Sequence, residues 1–132
     1  MARILIVEDE PLISAVLEDW LSDLGHQVVG PACSVKQALS VITNASFDAA
    51  ILDVNLGGER CDLLVDVLLA CGAPFAFTTG DATDTVDKRF KSLTVTKPYD
   101  FETIERLIAS LLNMNDIEIG ENRNSLMLPS LT

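Results

Sequence analysis

The chain has 132 residues, 48% of them hydrophobic, and its 20 acidic against 9 basic side chains give a net charge of −11. This length suits one domain with a full core, and the apolar content excludes an intrinsically disordered chain. A strongly acidic surface repels phosphate groups, so we expect neither nucleic acid nor a membrane as a partner.

Neither the start of the chain nor its cysteines indicate export. The first apolar run covers only residues 4–7, and no stretch approaches the ~20 apolar residues that a membrane span needs. The cysteines contain no C-x-x-C pair, so neither a disulfide framework nor a zinc site is indicated. We expect a cytoplasmic protein in which Cys33, Cys61 and Cys71 are buried free thiols.

Strand-length apolar runs alternate with helical periodicity from the N-terminus onward. Residues 4–7 predict a buried strand, and the apolar stripe that follows predicts a helix ending near Gly25. Residues 27–30 predict a second strand. Ser34 and Gln37 then have the spacing of a capping box, which opens a second helix.

The same alternation continues through the middle of the chain. Residues 49–52 predict a third strand that ends at Asp53. A helical stripe over residues 63–71 follows and is closed by Gly72. Residues 75–78 predict a fourth strand, again short, apolar and without charge.

The last third of the chain is less regular. Residues 80–92 predict a short fourth helix, and residues 93–96 a fifth strand. Asp100 caps a final helix with one apolar face. Periodicity then stops, so we expect a globular domain over residues 1–112 and a C-terminal tail, flexible or docked, over residues 113–132.

Five strands alternating with five helices predict an α/β fold with a parallel sheet covered on both faces. Right-handed crossovers leave few topologies for such a chain. We expect the doubly wound, flavodoxin-like (βα)₅ arrangement with strand order 2-1-3-4-5.

Polar residues follow four of the predicted strands. Glu8 and Asp9 follow strand 1, Asp53 ends strand 3, Thr79 follows strand 4 and Lys97 follows strand 5. Each alone has an ordinary interpretation, such as a helix-capping acid or a strand-end turn residue. Ligands of open α/β sheets bind beyond the carboxyl ends of the strands, so the joint pattern indicates one functional edge.

Acids converging on one edge repel one another unless a cation joins them, and oxygen ligands favour Mg²⁺. We expect Asp9, Asp53 and the backbone carbonyl of Asn55 as direct ligands, with Glu8 acting through a water. Asp53 is then placed to attack a phosphoryl group, while Lys97 neutralises its oxygens.

At these residues the sequence resembles response-regulator receiver domains, in the blocks at residues 3–11 and 51–56 and in Lys97-Pro98. The resemblance covers about residues 2–112 and implies a five-stranded (βα)₅ fold. It also implies roles for individual residues: a phospho-acceptor, an acidic metal pair, a switch hydroxyl and a phosphoryl-binding lysine at Asp53, Glu8 with Asp9, Thr79 and Lys97.

A narrower resemblance lies in residues 29–32, 53–59 and 74–80, which are similar to single-domain receivers common in alphaproteobacteria. Those proteins often carry Phe-Ala-Thr-Gly-Tyr at strand 4 and pair with kinases of the HWE type. This chain departs from that motif at Thr78 and Asp81. It also has Thr94 where most receivers have an aromatic residue that reports phosphorylation.

The resemblance implies a signalling switch rather than an enzyme. The expected partners are a sensor histidine kinase or a histidine phosphotransfer protein, and a downstream protein target. Two alternatives remain open. The first is a pseudo-receiver that binds partners unphosphorylated. The second is a phosphohydrolase working through an aspartyl-phosphate, which Asn55 disfavours because such enzymes use an acid there.

Overall fold

The computed structural model describes residues 1–80 and 93–118, with side chains up to residue 113. Its strands and helices follow in chain order: β1 (Arg3–Val7), α1 (Pro11–Asp23), β2 (Gln27–Ala32), α2 (Val35–Asn44), β3 (Ala49–Asp53), β4 (Asn55–Leu56), β5 (Glu59–Arg60), α3 (Asp62–Cys71), β6 (Phe75–Thr79), β7 (Thr94–Thr96) and α4 (Phe101–Glu118).

Five strands form one parallel sheet in the order β2-β1-β3-β6-β7. This is the predicted 2-1-3-4-5 order of a doubly wound α/β fold, which is confirmed. Most of the range in which a fourth helix was predicted, residues 81–92 of 80–92, lies outside the described residues. Within the part that is described, no helix combines the length and apolar character needed to cross a bilayer.

The core lies between the sheet and its flanking helices. Every residue of β3 and β6 is buried, as expected for strands covered on both faces. On one side α2 packs against α3, and on the other Trp20 of α1 contacts Phe101 of α4, with ring centroids 6.0 Å apart. The largest fully buried side chains come from both layers: Ile4, Leu5, Ile6, Leu17, Leu21, Ile51, Leu52, Leu64, Leu68, Ile104, Leu107 and Ile108.

The predicted starts of α2 and α4 are confirmed by their capping hydrogen bonds. The Gln37 backbone N–H donates to Ser34 Oγ at 3.1 Å, and the Gln37 side chain accepts from the Cys33 backbone N–H at 2.8 Å. Asp100 Oδ1 accepts from the Thr103 backbone N–H at 2.8 Å. Helix α4 continues to Glu118, beyond the end of its predicted apolar stripe.

Strand β2 is longer than predicted because it continues past Gly30 through Pro31 to Ala32. Proline is tolerated there because β2 is an edge strand. Gly30 has a φ of +93°, and an added Cβ would lie 2.8 Å from the Ala32 nitrogen, so only glycine fits. The expectation of three buried cysteines is wrong for two, since Cys33 and Cys71 are exposed and Cys61 alone of the three is buried.

Candidate functional site

Four carboxylates meet at the carboxyl end of the sheet. Glu8 and Asp9 directly follow β1, and Asp53 is the last residue of β3. Glu10 follows Asp9 and directly precedes α1. One carboxylate oxygen from each of the four lies within 4.8 Å of the others. The predicted acids are therefore brought together, along with Glu10, which the strand-end pattern did not predict although it adjoins the predicted pair.

The four acids differ in burial. Glu8 and Asp53 are 2% and 4% exposed, Asp9 is half-buried and Glu10 is exposed. The buried pair sits at the ends of neighbouring strands β1 and β3. This arrangement sets two carboxylates inside the sheet edge and leaves two nearer to solvent.

Lys97 places its ammonium among these carboxylates. Its Nζ lies 2.9 Å from Glu8 Oε1, 3.0 Å from Asp53 Oδ2 and 3.8 Å from Glu10 Oε1. The Lys97 backbone N–H donates to the Thr79 carbonyl at 2.7 Å, which extends the β6–β7 ladder beyond Thr96. Strand pairing therefore fixes where the ammonium lies.

Burial and charge oppose each other at this cluster. Burial raises the pKa of Glu8 to about 7, while the contact with Lys97 lowers it and the Asp53 carboxylate raises it. Burial lowers the pKa of Lys97, but the contacts with the Glu8 and Asp53 carboxylates outweigh burial and hold that pKa above its ordinary value of 10.5. Lys97 therefore stays charged, whereas burial makes Glu8 easier to protonate than an exposed carboxylate.

The cluster fits a small hard cation. It offers oxygen donors alone, and one ammonium among four acids leaves an excess of negative charge. The 2.9 Å contact of Glu8 Oε1 with Lys97 is an ion pair off the hydrogen-bond direction. That buried oxygen has no hydrogen-bond partner among the residues described.

A short hairpin, formed by β4 and β5, closes one side of the site and was not predicted. The Asn55 backbone N–H donates to Asp53 Oδ1 at 3.1 Å, and Asn55 Oδ1 accepts from the Gly58 backbone N–H at 3.0 Å. Gly57 and Gly58 both have positive φ, which a two-residue hairpin turn requires. The Gly-Gly pair after Leu56 was the available sequence signal.

Asn55 and the hairpin glycines line an acidic cleft of about 360 Å³. Among the described residues, this acidic cleft is lined by Asp9, Glu10, Asp53, Asn55, Gly57, Gly58, Gly80 and Lys97. Gly57 lies close to the acids, because a Cβ added there would be 3.4 Å from Asp9 Oδ2. At Gly80 an added Cβ would meet none of the described atoms within 4 Å.

Thr79 is buried at the end of β6, one position beyond the residue that pairs with Asp53. Its carbonyl carries the bond from Lys97, so the same short segment holds both groups at the strand ends. All six predicted residues, Glu8, Asp9, Asp53, Asn55, Thr79 and Lys97, therefore lie at one edge of the sheet.

An apolar cleft of about 530 Å³ adjoins the acidic one. It is lined by Glu10, Leu12, Ile13, Val16, Trp20, Gly80, Lys97, Pro98 and Tyr99. The Tyr99 ring packs edge-on to Trp20, with ring centroids 6.1 Å apart. Burial raises the pKa of Tyr99, and the charge of Glu8 raises it further. Tyr99 was not predicted at the site, although it stands directly after Lys97-Pro98.

Residues 4–68 match the family described as the response regulator receiver domain. The solution structure of SdrG from Sphingomonas melonis is similar, with 43% identity, a TM-score of 0.76, and coverage of 85% of this chain and 97% of that one. The chain belongs to the response-regulator receiver family. The receiver fold explains why these acids and the lysine share one sheet edge.

Other receivers give the same family. The receiver domain of PhyR from Erythrobacter litoralis is 31% identical, with a TM-score of 0.76, over 85% of this chain and 90% of that one. The phyllosphere-induced regulator PhyR of Methylorubrum extorquens is 30% identical over 115 residues, which is 83% of this chain. The match spans 43% of that regulator, and less than half of each curated relative found.

Proposed function

We propose that this receiver is a single-domain response regulator that accepts a phosphoryl group on Asp53 in a Mg²⁺-dependent reaction. The donor is a sensor histidine kinase, with the HWE type as first candidate, or a histidine phosphotransfer protein. The observation that carries the proposal is the Lys97 ammonium, 3.0 Å from Asp53 Oδ2 and 2.9 Å from Glu8 Oε1, beside an open cleft.

The residues that would hold Mg²⁺ are Glu8, Asp9, Asp53 and Asn55, the last through its backbone carbonyl. Support comes from the all-oxygen donor set and from the buried Glu8 oxygen that lacks a hydrogen bond. When bound, Mg²⁺ supplies positive charge that screens the carboxylates from one another and from the phosphoryl oxygens.

The remaining chemistry belongs to the chain. The Asn55 backbone N–H holds Asp53 Oδ1 and Lys97 holds Oδ2, so the carboxylate is fixed in orientation before it meets phosphorus. In our proposal a carboxylate oxygen of Asp53 forms the new bond to phosphorus as the donor's bond breaks. Lys97 and the Thr79 hydroxyl then bind the phosphoryl oxygens, which ties strands β6 and β7 to the modified β3.

As a switch, the protein would act by changing which protein it binds rather than by turning over a substrate. PhyR of Bartonella quintana, 27% identical to this chain, is described as an anti-anti-sigma factor, which makes a protein target the natural output. The net charge of −11 argues against direct binding to nucleic acid. We assign the receiver unit to residues 1–112, the tail to residues 113–132, and the protein to the cytoplasm.

The test is intact-protein mass after incubation with Mg²⁺ and acetyl phosphate. Wild type should gain one phosphoryl group, Asp53→Asn should gain none, and removal of Mg²⁺ by a chelator should abolish the gain. Asp19→Asn, an exposed aspartate on α1, is the matched control and should react like wild type.

Two results would contradict the proposal. A gain that persists in Asp53→Asn would place the modification elsewhere. No gain in wild type, with acetyl phosphate and with a phosphorylated histidine kinase alike, would favour a pseudo-receiver that works unphosphorylated. That reading would fit the absence of an aromatic residue at Thr94.

A further inference from the structure

Glu10 occupies the boundary between the acidic and apolar clefts. Together with Gly80 and Lys97 it lines both of them. It is also the residue that precedes α1 without capping it, since its side chain makes no cap hydrogen bond. Its carboxylate is therefore not committed to the helix end, and it stands where the two clefts meet.

The site neutralises the negative charge of Glu10 only in part. Lys97 is 3.8 Å from Glu10 Oε1 but 2.9 and 3.0 Å from its two buried partners. The Glu10 side chain is 61% exposed, whereas that of Lys97 is 12% exposed. A phosphodonor entering the acidic cleft thus passes a carboxylate whose negative charge faces outward.

The leaving group of that donor must point outward. Phosphoryl transfer brings the attacking and departing atoms roughly into line through phosphorus. With Asp53 buried as the attacking group, the departing group points away from the sheet, into the acidic cleft that Glu10 helps to line. The sign of charge on the leaving group therefore matters at Glu10.

Phosphodonors differ in the charge of the group that carries the phosphoryl and leaves. In a phosphoimidazole protonated on its distal ring nitrogen, the Asp53 oxygen bonds to phosphorus, the P–N bond breaks, its electron pair stays on nitrogen, and neutral imidazole leaves. In acetyl phosphate the P–O bond breaks and an acetate anion leaves. A nearby carboxylate attracts the protonated ring of the first donor and repels the anion formed from the second.

From this juxtaposition we infer that Glu10 is a specificity-determining residue that favours imidazole phosphodonors over acyl phosphates. The apolar wall beside it, with Ile13, Trp20 and Tyr99, suits the flat face of such a ring. The inference rests on the proposed function, because it concerns which donors serve Asp53. It adds a residue that the strand-end pattern did not contain.

The test compares phosphorylation rates of the full chain with Mg²⁺ and either phosphoimidazole or acetyl phosphate, followed by intact mass. In Glu10→Gln the rate ratio, phosphoimidazole over acetyl phosphate, should fall by about two- to fivefold, the size expected of one exposed charge at short range. Asp19→Asn changes the net charge equally, lies exposed on α1, and should keep the wild-type ratio. Mg²⁺ affinity by calorimetry accompanies each variant.

Each other outcome counts against the inference. An unchanged ratio in Glu10→Gln, or an equal fall in Asp19→Asn, overturns it, the second because any surface charge would then act alike. Weakened Mg²⁺ binding with both donors slowed equally assigns Glu10 to the metal and overturns it too. If wild type reacts neither with these two donors nor with a phosphorylated histidine kinase, the proposed function itself fails. If wild type reacts with both small donors and only the ratio is unchanged in Glu10→Gln, the failure is confined to Glu10.

Discussion

The raised pKa of Glu8 makes stability depend on pH in a direction opposite to that of most carboxylates. Burial shifts this pKa from 4.5 to about 7, so the folded protein binds a proton more tightly at Glu8 than the unfolded chain does. The stabilisation from Glu8 is then fully present below pH 4.5 and is lost as pH rises through about 7. At about 1.4 kcal/mol for each tenfold change in proton affinity, the effect is about 3 kcal/mol.

The assay is urea unfolding without divalent cations at a series of pH values from 4.5 to 8, followed by the fluorescence of Trp20, the single tryptophan. The quantity of interest is the difference in unfolding free energy between wild type and Glu8→Gln, because titrating groups that do not contact Glu8 cancel in it. That difference should shift in favour of wild type as pH falls, by up to about 3 kcal/mol. Added Mg²⁺ should stabilise wild type most at high pH, where Glu8 is ionised.

The result that would refute this reasoning is a wild-type minus Glu8→Gln difference that stays flat with pH, or that moves in favour of wild type as pH rises. The first would mean that Glu8 has the same proton affinity in both states despite its burial. The second would mean that Lys97, 2.9 Å away, outweighs burial and holds the carboxylate ionised.

Three further predictions concern stability, each measured by urea unfolding at pH 7. Lys97→Gln should lower the free energy of unfolding by about 3 kcal/mol without Mg²⁺, since two buried carboxylates lose their cation. An unchanged unfolding midpoint would mean that Glu8 and Asp53 are uncharged in the folded variant. Gly30→Ala should lower the free energy of unfolding by about 2 kcal/mol or more, and Gly25→Ala by less, because both have positive φ but only Gly30 is crowded. Equal losses would mean that the 2.8 Å approach of the new Cβ to the Ala32 nitrogen is relieved by a shift of the backbone. Ser34→Ala should cost about 1 kcal/mol through the lost bond to Gln37, and no loss would mean that the cap is exchanged for water.

The sheet and its order were predictable because buried parallel strands leave a simple signature. Runs such as Ile4–Val7 and Ala49–Leu52 are apolar on both faces and are followed by a charged residue. Both the presence of a strand and its end can therefore be predicted from the sequence. Once the order is known, the strand-end residues must share an edge. That logic assembled the acids, Thr79 and Lys97 without any knowledge of side-chain positions.

Features set by tertiary geometry were not predictable in the same way. The β4–β5 hairpin involves strands of two residues each, too short for any periodic pattern. Glu10 and Tyr99 join the site because of the directions in which α1 and the segment after β7 leave the sheet, which strand order does not specify. The exposure of Cys33 and Cys71 likewise depends on which side of their elements faces the neighbouring layer.

The ion pair between Asp53 and Lys97 joins residues 44 positions apart in the chain, and β1 contributes Glu8 from still farther away. No local segment contains the site, because β3 and β7 are not neighbours in the sheet and β6 lies between them. A nascent, truncated or partly unfolded chain therefore lacks the arrangement of Asp53, Lys97 and Glu8 altogether. Under the proposed function, a chain that has not finished folding should not accept a phosphoryl group on Asp53, because the three residues are then apart.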